Sequence, residues 1–322
     1  MDHRPYFSIL IPVFNQTGKM DECIRSVKNQ TFTDFEVIFV DDGSTDGSGD
    51  MLSAFAKDDD RFRVFTHEKN SSLLAARYTG MQNATGEKIV FLDSDDYLSE
   101  NALERIHDAF AGQGADIVRF GFVREPSGKE YPPYKTDDPL SAVVEGIIPP
   151  AIWKNAYSKE VVKGVLERTN SFYCNMGEDS YLGSILLSNV GSFTAIDDIL
   201  YHYIDGGMSN SNASLSKEKL HKVLTDVRRS GNGIIEYMSR YCPERKNDAV
   251  IMSRRMIRFV LYQYVLGAAD DDTARAFIDE FDNEEDADIY RFGNDVLLPA
   301  RQLIKEGREV HFDFKMEKMI EG

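Results

Sequence analysis

The stretch Phe91-Leu92-Asp93-Ser94-Asp95-Asp96 carries more information about this protein than any other part of its sequence. The apolar run Lys88–Leu92, which is typical of a buried β-strand, ends there in a group of carboxylates. Carboxylates this close repel one another unless a cation or hydrogen bonds compensate. Mg²⁺ or Mn²⁺ would compensate and would keep coordination positions open for phosphate oxygens. The stretch therefore predicts a metal site, and a solvated acidic loop that caps the next helix is the alternative.

Strands and helices alternate on the N-terminal side of this stretch. Apolar runs predict strands at Phe7–Val13, Phe35–Val40 and Phe62–Thr66, and helical periodicity predicts helices at 19–28, 50–57 and 73–83. Such alternation indicates an α/β fold with a doubly wound, mainly parallel sheet. Ligands of these sheets bind beyond the carboxyl ends of the strands. A second acidic pair, Asp41-Asp42, ends the second strand, so we expect it close to Asp93 and Asp95.

The C-terminal side predicts a smaller sheet region followed by helices. A helix at about 101–111 and strands at 116–123, 192–196 and 199–204 are expected, and from about Ser216 the periodicity is helical. We expect a domain at 1–212, with a nucleotide-sugar half at about 1–98 and an acceptor half at about 99–212. A helical region would occupy 213–322, with the acidic stretch 279–288 as a solvated loop.

Composition and charge narrow the classes of partner. Apolar residues make up 42% and charged residues 28% of the 322 residues, which is typical of a soluble globular protein. The net charge of −17 would repel a nucleic acid, so no nucleic-acid partner is expected. Three cysteines, without a CxxC pattern, favour a reducing cytoplasm. The apolar N-terminal run is too short for a membrane span, for which about 20 residues are needed.

Three further groups could carry chemistry, and each has a plain structural alternative. Asp42 lies in a turn-forming sequence, where it either supports the turn or accepts the N3–H of a uracil or thymine base. Arg77 could pair with a diphosphate or be an ordinary solvated arginine. Glu178-Asp179 precedes an apolar helical segment, so these acids either favour the helix dipole or include a general base.

These segments together resemble the family 2 glycosyltransferases of the GT-A fold, over about residues 7–211. The similarity rests on an ordered set of motifs: Ser8-Ile-Leu-Ile-Pro-Val-Phe-Asn15, Gln30-Thr-Phe-Thr-Asp-Phe-Glu36, Val40-Asp-Asp-Gly-Ser-Thr-Asp-Gly-Ser48, Ala76-Arg77, Gly86-Glu87, Phe91–Asp96, Glu178-Asp179 and Tyr201-His-Tyr203. Two departures concern the phosphate-side loop, which has Ser72 and Leu74 where the family often has Gly and Ser, and the acceptor segment, where Trp153-Lys154-Asn155 inverts the commoner Trp-Asn-Lys order.

The resemblance implies roles for individual residues. The donor-binding positions would be Pro12, Phe14, Asn15, Asp41, Asp42, Arg77, Asp93 and Ser94. Asp95 and Asp93 would hold Mn²⁺ or Mg²⁺, with Asp95 as the direct ligand. His202 would be either a further ligand or a structural histidine. Asp179, beside Glu178, would be the general base, and Trp153 would lie at the acceptor site unless it is simply buried.

The implied reaction is transfer of a hexose or N-acetylhexosamine, with inversion, from a nucleotide diphosphate sugar to a glycan or lipid-linked acceptor. UDP is the expected nucleotide, and bacterial polysaccharide synthesis is the expected setting. A haloacid-dehalogenase-like phosphatase that uses Asp93, or an inactive nucleotide-sugar-binding protein, are the alternatives. The segment Met252–Tyr262 mixes basic and apolar residues, so it either packs in the core or contacts a membrane surface at the inner face. A homo-oligomer is left open.

Overall fold

A computed structural model of the protein describes residues 4–205, 215–313 and 318–321. The chain divides into two compact units, each built from several segments. The first unit consists of Met1–Pro139, Ala151–Asn175 and Ile185–Ser211, and the second of Leu140–Pro150, Met176–Ser184 and Asn212–Gly322. Two short segments that precede residue 212, Leu140–Pro150 and Met176–Ser184, therefore belong to the second unit.

The first unit is built on one curved sheet. Its strands are β1 (Phe7–Val13), β2 (Phe35–Asp41), β3 (Phe62–Thr66), β4 (Lys88–Phe91), β5 (Tyr97–Leu98), β6 (Ile117–Glu125), β7 (Lys129–Tyr131), β8 (Asn155–Ser158) and β9 (Phe193–Ile204). The order is β3-β2-β1-β4-β8-β6-β9-β5, and β7 pairs with β6. The first four strands are parallel. Every residue of β1 and β2 is buried, as expected of strands covered on both faces.

Helices connect the strands as the sequence pattern predicted. Up to residue 188 they are α1 (Asp21–Lys28), α2 (Ser48–Asp58), α3 (Leu73–Asn83), α4 (Ala102–Gln113), α5 (Pro139–Val144), α6 (Lys159–Arg168) and α7 (Glu178–Ser188). Side chains from the sheet, α1 and α4 form one apolar core that includes Phe7, Val27, Phe39, Ile106 and Tyr201. The α/β fold class predicted from the sequence is confirmed.

Strands β5, β7 and β8 and the continuity of β9 were not predicted. The antiparallel strand β8 lies between β4 and β6 and follows a 3-10 turn at Ile152–Lys154. The two strands predicted at 192–196 and 199–204 form the single strand β9, whose pairing with β6 is irregular at Gly121. A Cβ at Gly121 would lie 2.9 Å from the backbone oxygen of Tyr131 on β7, so the close approach of this backbone favours glycine here.

The second unit is mainly helical. Its remaining elements are α8 (Lys217–Tyr241), α9 (Lys246–Gly267), α10 (Asp271–Ile278), α11 (Ala287–Phe292), α12 (Leu298–Lys305), β10 (Val310–Asp313) and β11 (Lys318–Glu321). The hairpin of β10 and β11 was not predicted. The acidic stretch 279–288 was expected to be solvated, yet Asp286 is buried and accepts a hydrogen bond from Arg228 Nη2 at 2.5 Å. Among the described helices, none is both long and apolar enough to span a bilayer.

Candidate active site

Three loops meet at the carboxyl edge of the parallel strands in the first unit. They follow β1, β2 and β4, and β1 lies between the other two strands, so the loops are neighbours. Most of the donor residues inferred from the sequence lie on this edge. Pro12 is buried at the end of β1, and Phe14 is half-buried just beyond it. Crevices at such edges are where ligands of open α/β sheets bind.

Asn15 fastens the first of these loops to the second. Its backbone is left-handed, with φ 52°. Its N–H donates to Ser44 Oγ at 2.9 Å, and its side-chain Oδ1 accepts from the N–H of Thr45 at 2.9 Å. The next residue, Gln16, donates its N–H to Ser48 Oγ at 2.8 Å. An asparagine tolerates this backbone better than most residues, which explains its position here.

The acidic pair at the end of β2 organises loops. Asp41 is buried, and its Oδ1 accepts from the N–H of Ser44 at 3.0 Å. Asp42 is 2% exposed and accepts from the backbone N–H groups of Ser71 and Ser72 at 2.8 and 2.9 Å. His67 Nδ1 lies 2.7 Å from Asp42 Oδ1. Asp42 thus supports the loop that leads into α3, a different loop from the turn in which Asp42 itself lies.

Arg77 and Asp93 connect α3 to the loop after β4. The guanidinium of Arg77 is buried, with 2% of its side chain exposed, and its Nη2 donates to Asp93 Oδ1 at 3.1 Å. Asp93 is more accessible, with 26% of its side chain exposed. Arg77 is therefore not a solvated surface arginine. It compensates the charge of Asp93 and fixes the direction of that carboxylate, which keeps a second oxygen for other ligands.

Asp96, the last acid of the carboxylate loop, has an environment that the sequence pattern does not indicate. It is 2% exposed, and it accepts hydrogen bonds from Tyr201 Oη and from the N–H of Ile204, both at 2.7 Å. Burial is the main cause that raises the pKa of Asp96 to about 8, and the charges of Asp93 and Asp95 add to the rise. The two hydrogen bonds lower the pKa but do not outweigh these effects. Burial and the neighbouring charge of Asp93 thus disfavour the ionised form of Asp96.

An aromatic stack supports this loop from the side of β9. Tyr201 is fully buried, and its hydroxyl also accepts from the N–H of Asp93 at 3.2 Å. The ring of Trp153 stacks on Tyr201 with centroids 4.4 Å apart and lies edge-on to Phe122 at 5.1 Å. Trp153 is 7% exposed. Packing therefore accounts for this tryptophan, and an acceptor could reach only its margin.

His202 has a structural environment. Its ring stacks on Tyr97 with centroids 4.2 Å apart. Nε2 lies 3.1 Å from Ser99 Oγ, and Nδ1 lies 3.3 Å from Glu125 Oε1. Both ring nitrogens are thus occupied by protein groups. We leave His202 out of the proposed metal ligands for this reason.

The donor set fits a hard cation that arrives together with a phosphorylated ligand. In the part of the chain that the structure describes, no group of three or more His, Cys, Asp or Glu side chains is arranged to hold a metal. Asp93 and Asp95 are both partly exposed, and Ser94 between them is buried. Mg²⁺ and Mn²⁺ sites often use only one or two carboxylates, with phosphate oxygens and water completing the coordination.

Glu178 and Asp179 are the first residues of α7 and belong to the second unit. Glu178 is buried, whereas Asp179 is partly exposed. Gly177 precedes them with φ 86°, a left-handed backbone that favours glycine directly before this helix. The helix dipole stabilises both carboxylates at this position. The structure thus shows the helix-terminal location expected from the sequence, and the role of a base is a matter for proposal.

The fold is of the GT-A type. The chain is similar to the crystal structure of S. aureus TarS 1–349 in complex with UDP-GlcNAc, with a TM-score of 0.62 and 17% identity over 98% of this chain and 96% of that chain. It is also similar to the mannosyltransferase PcManGT from Pyrobaculum calidifontis in complex with GDP-Man and Mn²⁺, with a TM-score of 0.51 and 16% identity over 94% of this chain and 84% of that chain.

The family itself is shown by the sequence match. The model described as glycosyl transferase family 2 matches residues 8–174, and the chain belongs to this family. The uncharacterized glycosyltransferase EpsJ of Bacillus subtilis (strain 168) is 39% identical over 125 residues, which are 39% of this chain and 36% of EpsJ. The matched segment thus spans about a third of that relative. Family membership favours sugar transfer over the phosphatase or binding-protein alternatives.

Proposed function

We propose that this glycosyltransferase moves a hexose or N-acetylhexosamine from a UDP-sugar to a hydroxyl of a glycan or lipid-linked saccharide, with inversion and with Mn²⁺ or Mg²⁺. The observation that carries the proposal is the loop Asp93–Asp96 beyond β4, where Asp93 and Asp95 are both partly exposed and Arg77 Nη2 holds Asp93 Oδ1 at 3.1 Å. UDP-GlcNAc is bound in the similar TarS structure, and GDP-Man with Mn²⁺ is bound in PcManGT. These ligands support the donor class and the metal.

The residues of the first unit would bind and orient the donor. Asp93 and Asp95 would hold the cation, which when bound supplies charge stabilisation to the departing diphosphate. Arg77 keeps the Asp93 carboxylate in place through the 3.1 Å hydrogen bond. Asp42 holds the loop of Ser71 and Ser72 beside the same edge of the sheet. The nucleotide would therefore lie across loops that are already fastened to one another.

Asp179 would act as the general base. It would remove the proton of the acceptor hydroxyl as that oxygen attacks the anomeric carbon, which breaks the bond to the diphosphate on the opposite face and inverts the configuration. Support comes from its place in the Glu178-Asp179 motif and from its partial exposure, since a base must be reachable by the acceptor. Glu178 is buried beside it and would help to position the first turn of α7.

A lipid-linked acceptor would bring the enzyme to a membrane surface, and α9 is the element that would make this contact. Val250, Ile251 and Phe259 are exposed on it. Arg258 is paired with Asp288, with Nη2 and Oδ2 2.9 Å apart. Contact would thus depend on apolar insertion more than on anionic lipid. Co-sedimentation should be no stronger with anionic than with neutral liposomes, and absence of binding to both would remove this part of the proposal.

The proposal is tested by calorimetry of UDP binding with and without Mn²⁺. The wild-type protein should bind UDP in the presence of Mn²⁺ and lose at least about tenfold in affinity with EDTA, since the cation bridges two sets of negative charges. Asp95→Ala should abolish the Mn²⁺ dependence. Asp60→Ala removes an exposed acid on another loop and should behave as the wild type. Equal UDP binding with and without the metal would contradict the assignment.

A further inference from the structure

A surface groove of the first unit is not used by the proposed reaction. It has a volume of about 750 Å³ and lies between α1, residues 97–101 and β9. Sites for small ligands usually have volumes of roughly 300–1,000 Å³. None of the residues to which we assign donor, metal or base roles lines this groove. A ligand bound there would therefore occupy a second site.

The groove has a rigid aromatic surface in its lining. Tyr97 and His202 both line it, and their rings stack with an interplanar angle of 12°. Glu125 holds both side chains, because its Oε1 lies 3.4 Å from Tyr97 Oη and 3.3 Å from His202 Nδ1. Rings fixed in this way lose little conformational freedom on binding. The C–H face of a pyranose ring packs well on such a surface.

Side-chain amides at the edge of the groove have hydrogen-bonding capacity to spare. Asn29 and Asn101 line the groove and are exposed, and neither side chain forms a hydrogen bond within the described part of the chain. Asn101 stands directly before α4, where an asparagine usually caps the helix, yet its side chain forms no cap. Each amide offers donors and an acceptor, which suits the adjacent hydroxyls of a sugar.

The charge of the groove argues against an anionic ligand. Arg25 is the arginine in its lining, and it is paired with Glu22. Glu100 also lines the groove and is exposed. Without surplus positive charge, the groove would repel a phosphate or a uronic acid. We propose that it binds a neutral oligosaccharide through Tyr97, Asn29 and Asn101.

The groove lies next to the carboxylate loop. Residues 97–101 continue directly from Asp93–Asp96, and Cys23 Sγ on α1 donates to the carbonyl oxygen of Asp93 at 3.8 Å. A glycan in the groove would therefore stay close to the enzyme's proposed reaction centre, which would raise its local concentration there. Binding in the groove needs no donor, so it can be measured separately from transfer.

The experiment is saturation-transfer NMR and calorimetry of the full chain with neutral oligosaccharides: maltoheptaose, cellohexaose and chitohexaose. At least one should bind, and the double variant Asn29→Ala/Asn101→Ala should weaken it by about tenfold or more, since each amide loses its hydrogen bonds. Asn247→Ala, an exposed asparagine of α9, is the matched control and should bind as the wild type. UDP affinity should be unchanged in every variant.

A second variant keeps the test decisive. Asn29→Leu narrows the edge of the groove with a side chain that has neither a hydrogen-bonding group nor a ring face, and it should weaken oligosaccharide binding while the melting temperature and UDP binding stay unchanged. The proposal is overturned if none of the neutral sugars binds, if the variants bind as well as the wild type, or if hyaluronan hexasaccharide binds more tightly. If the wild-type protein bound no UDP, this would contradict the transferase proposal and leave the proposal about the groove unaffected.

Discussion

Carboxylates of identical chemistry serve different purposes in this protein because their surroundings differ. Asp42 is buried and accepts two backbone N–H groups, so it fixes a loop. Asp93 pairs with Arg77 and stays partly exposed, so it can still meet a ligand. Asp96 is buried, and burial together with the charges of two neighbouring aspartates raises its pKa to about 8. Burial and neighbouring groups thus decide whether an aspartate of this site fixes a loop or can contact a ligand.

The role of Asp179 can be tested with an isosteric change. Asp179→Asn should lower the rate of sugar transfer by about a hundredfold or more, because the amide cannot accept the proton of the acceptor hydroxyl. Binding of UDP with Mn²⁺ should be unchanged, since the donor residues lie elsewhere. The measurement is initial-rate kinetics combined with calorimetry. Normal turnover by the purified variant would show that another group is the base.

Glu36 should make the stability of the first unit depend on pH. Burial by itself raises the pKa of Glu36, but hydrogen bonds from Ser8, Thr85 and Arg63 outweigh it, so the pKa is lowered overall. The stabilising contribution is then fully present above the pKa of the unfolded chain and is lost as the pH falls through the lower, folded-state value. Glu36→Gln should cost about 1–3 kcal/mol at pH 7.

The measurement for Glu36 is urea unfolding at pH 7 and pH 3.5. The difference in unfolding free energy between the wild type and Glu36→Gln should shrink at the lower pH. Glu68→Gln, at an exposed position, should show a small difference at both values. A Glu36→Gln difference that stays constant with pH would mean that the carboxylate charge does not contribute.

At the scale of elements, loops that touch one another shape the candidate site more than the strands do. Gly43 has φ 73°, and a Cβ there would lie 2.6 Å from the backbone carbon of Lys69. The turn after β2 is thus packed directly against the loop that Asp42 holds. This contact explains why the turn contains a glycine, whereas the sequence pattern indicates only the general preference of turns for glycine.

Comparison of two glycines separates this contact from backbone strain. Gly18→Ala, with φ 76° and no atom within 4 Å of the added Cβ, should cost about 1 kcal/mol from strain alone. Gly43→Ala, at a similar φ, should cost more, about 2–4 kcal/mol, because the backbone of Lys69 must move. It should also weaken UDP binding, as seen by calorimetry. Equal costs for the two variants would show that the loops separate freely.

At the scale of the whole molecule, the second unit is completed by segments from the middle of the chain. Arg245 Nη2 donates to Ser141 Oγ at 3.0 Å, and Arg255 donates to the carbonyl oxygen of Val144. Tyr181 is buried in the same unit and packs against Gly233, where an added Cβ would lie 2.7 Å from Tyr181 Cε2. Residues 140–150 and 176–184 therefore depend on the helices after residue 212.

This dependence predicts the effect of truncation. A chain that ends after Ser211 should expose the apolar side chains of Leu140, Val143 and Tyr181, which are buried in the second unit. We expect aggregation or strong dye binding, measured by light scattering and ANS fluorescence. A chain that ends after Lys305 keeps α8 to α12 and is the control. A stable, monodisperse protein ending at Ser211 would contradict the division into units.

The sequence was enough to predict the alternation of β1 to β4 with α1 to α3, since apolar periodicity is set by neighbouring residues and the fully buried strands β1 and β2 are predominantly apolar. It also determined the family, because the motifs occur in a specific order. The remaining features depend on contacts between distant parts of the chain. Strand β8 is only four residues long and exists because β4 and β6 flank it. Likewise, Arg77 meets Asp93, and Asp96 gains its raised pKa, only through contacts between residues far apart in the chain, which no local pattern encodes.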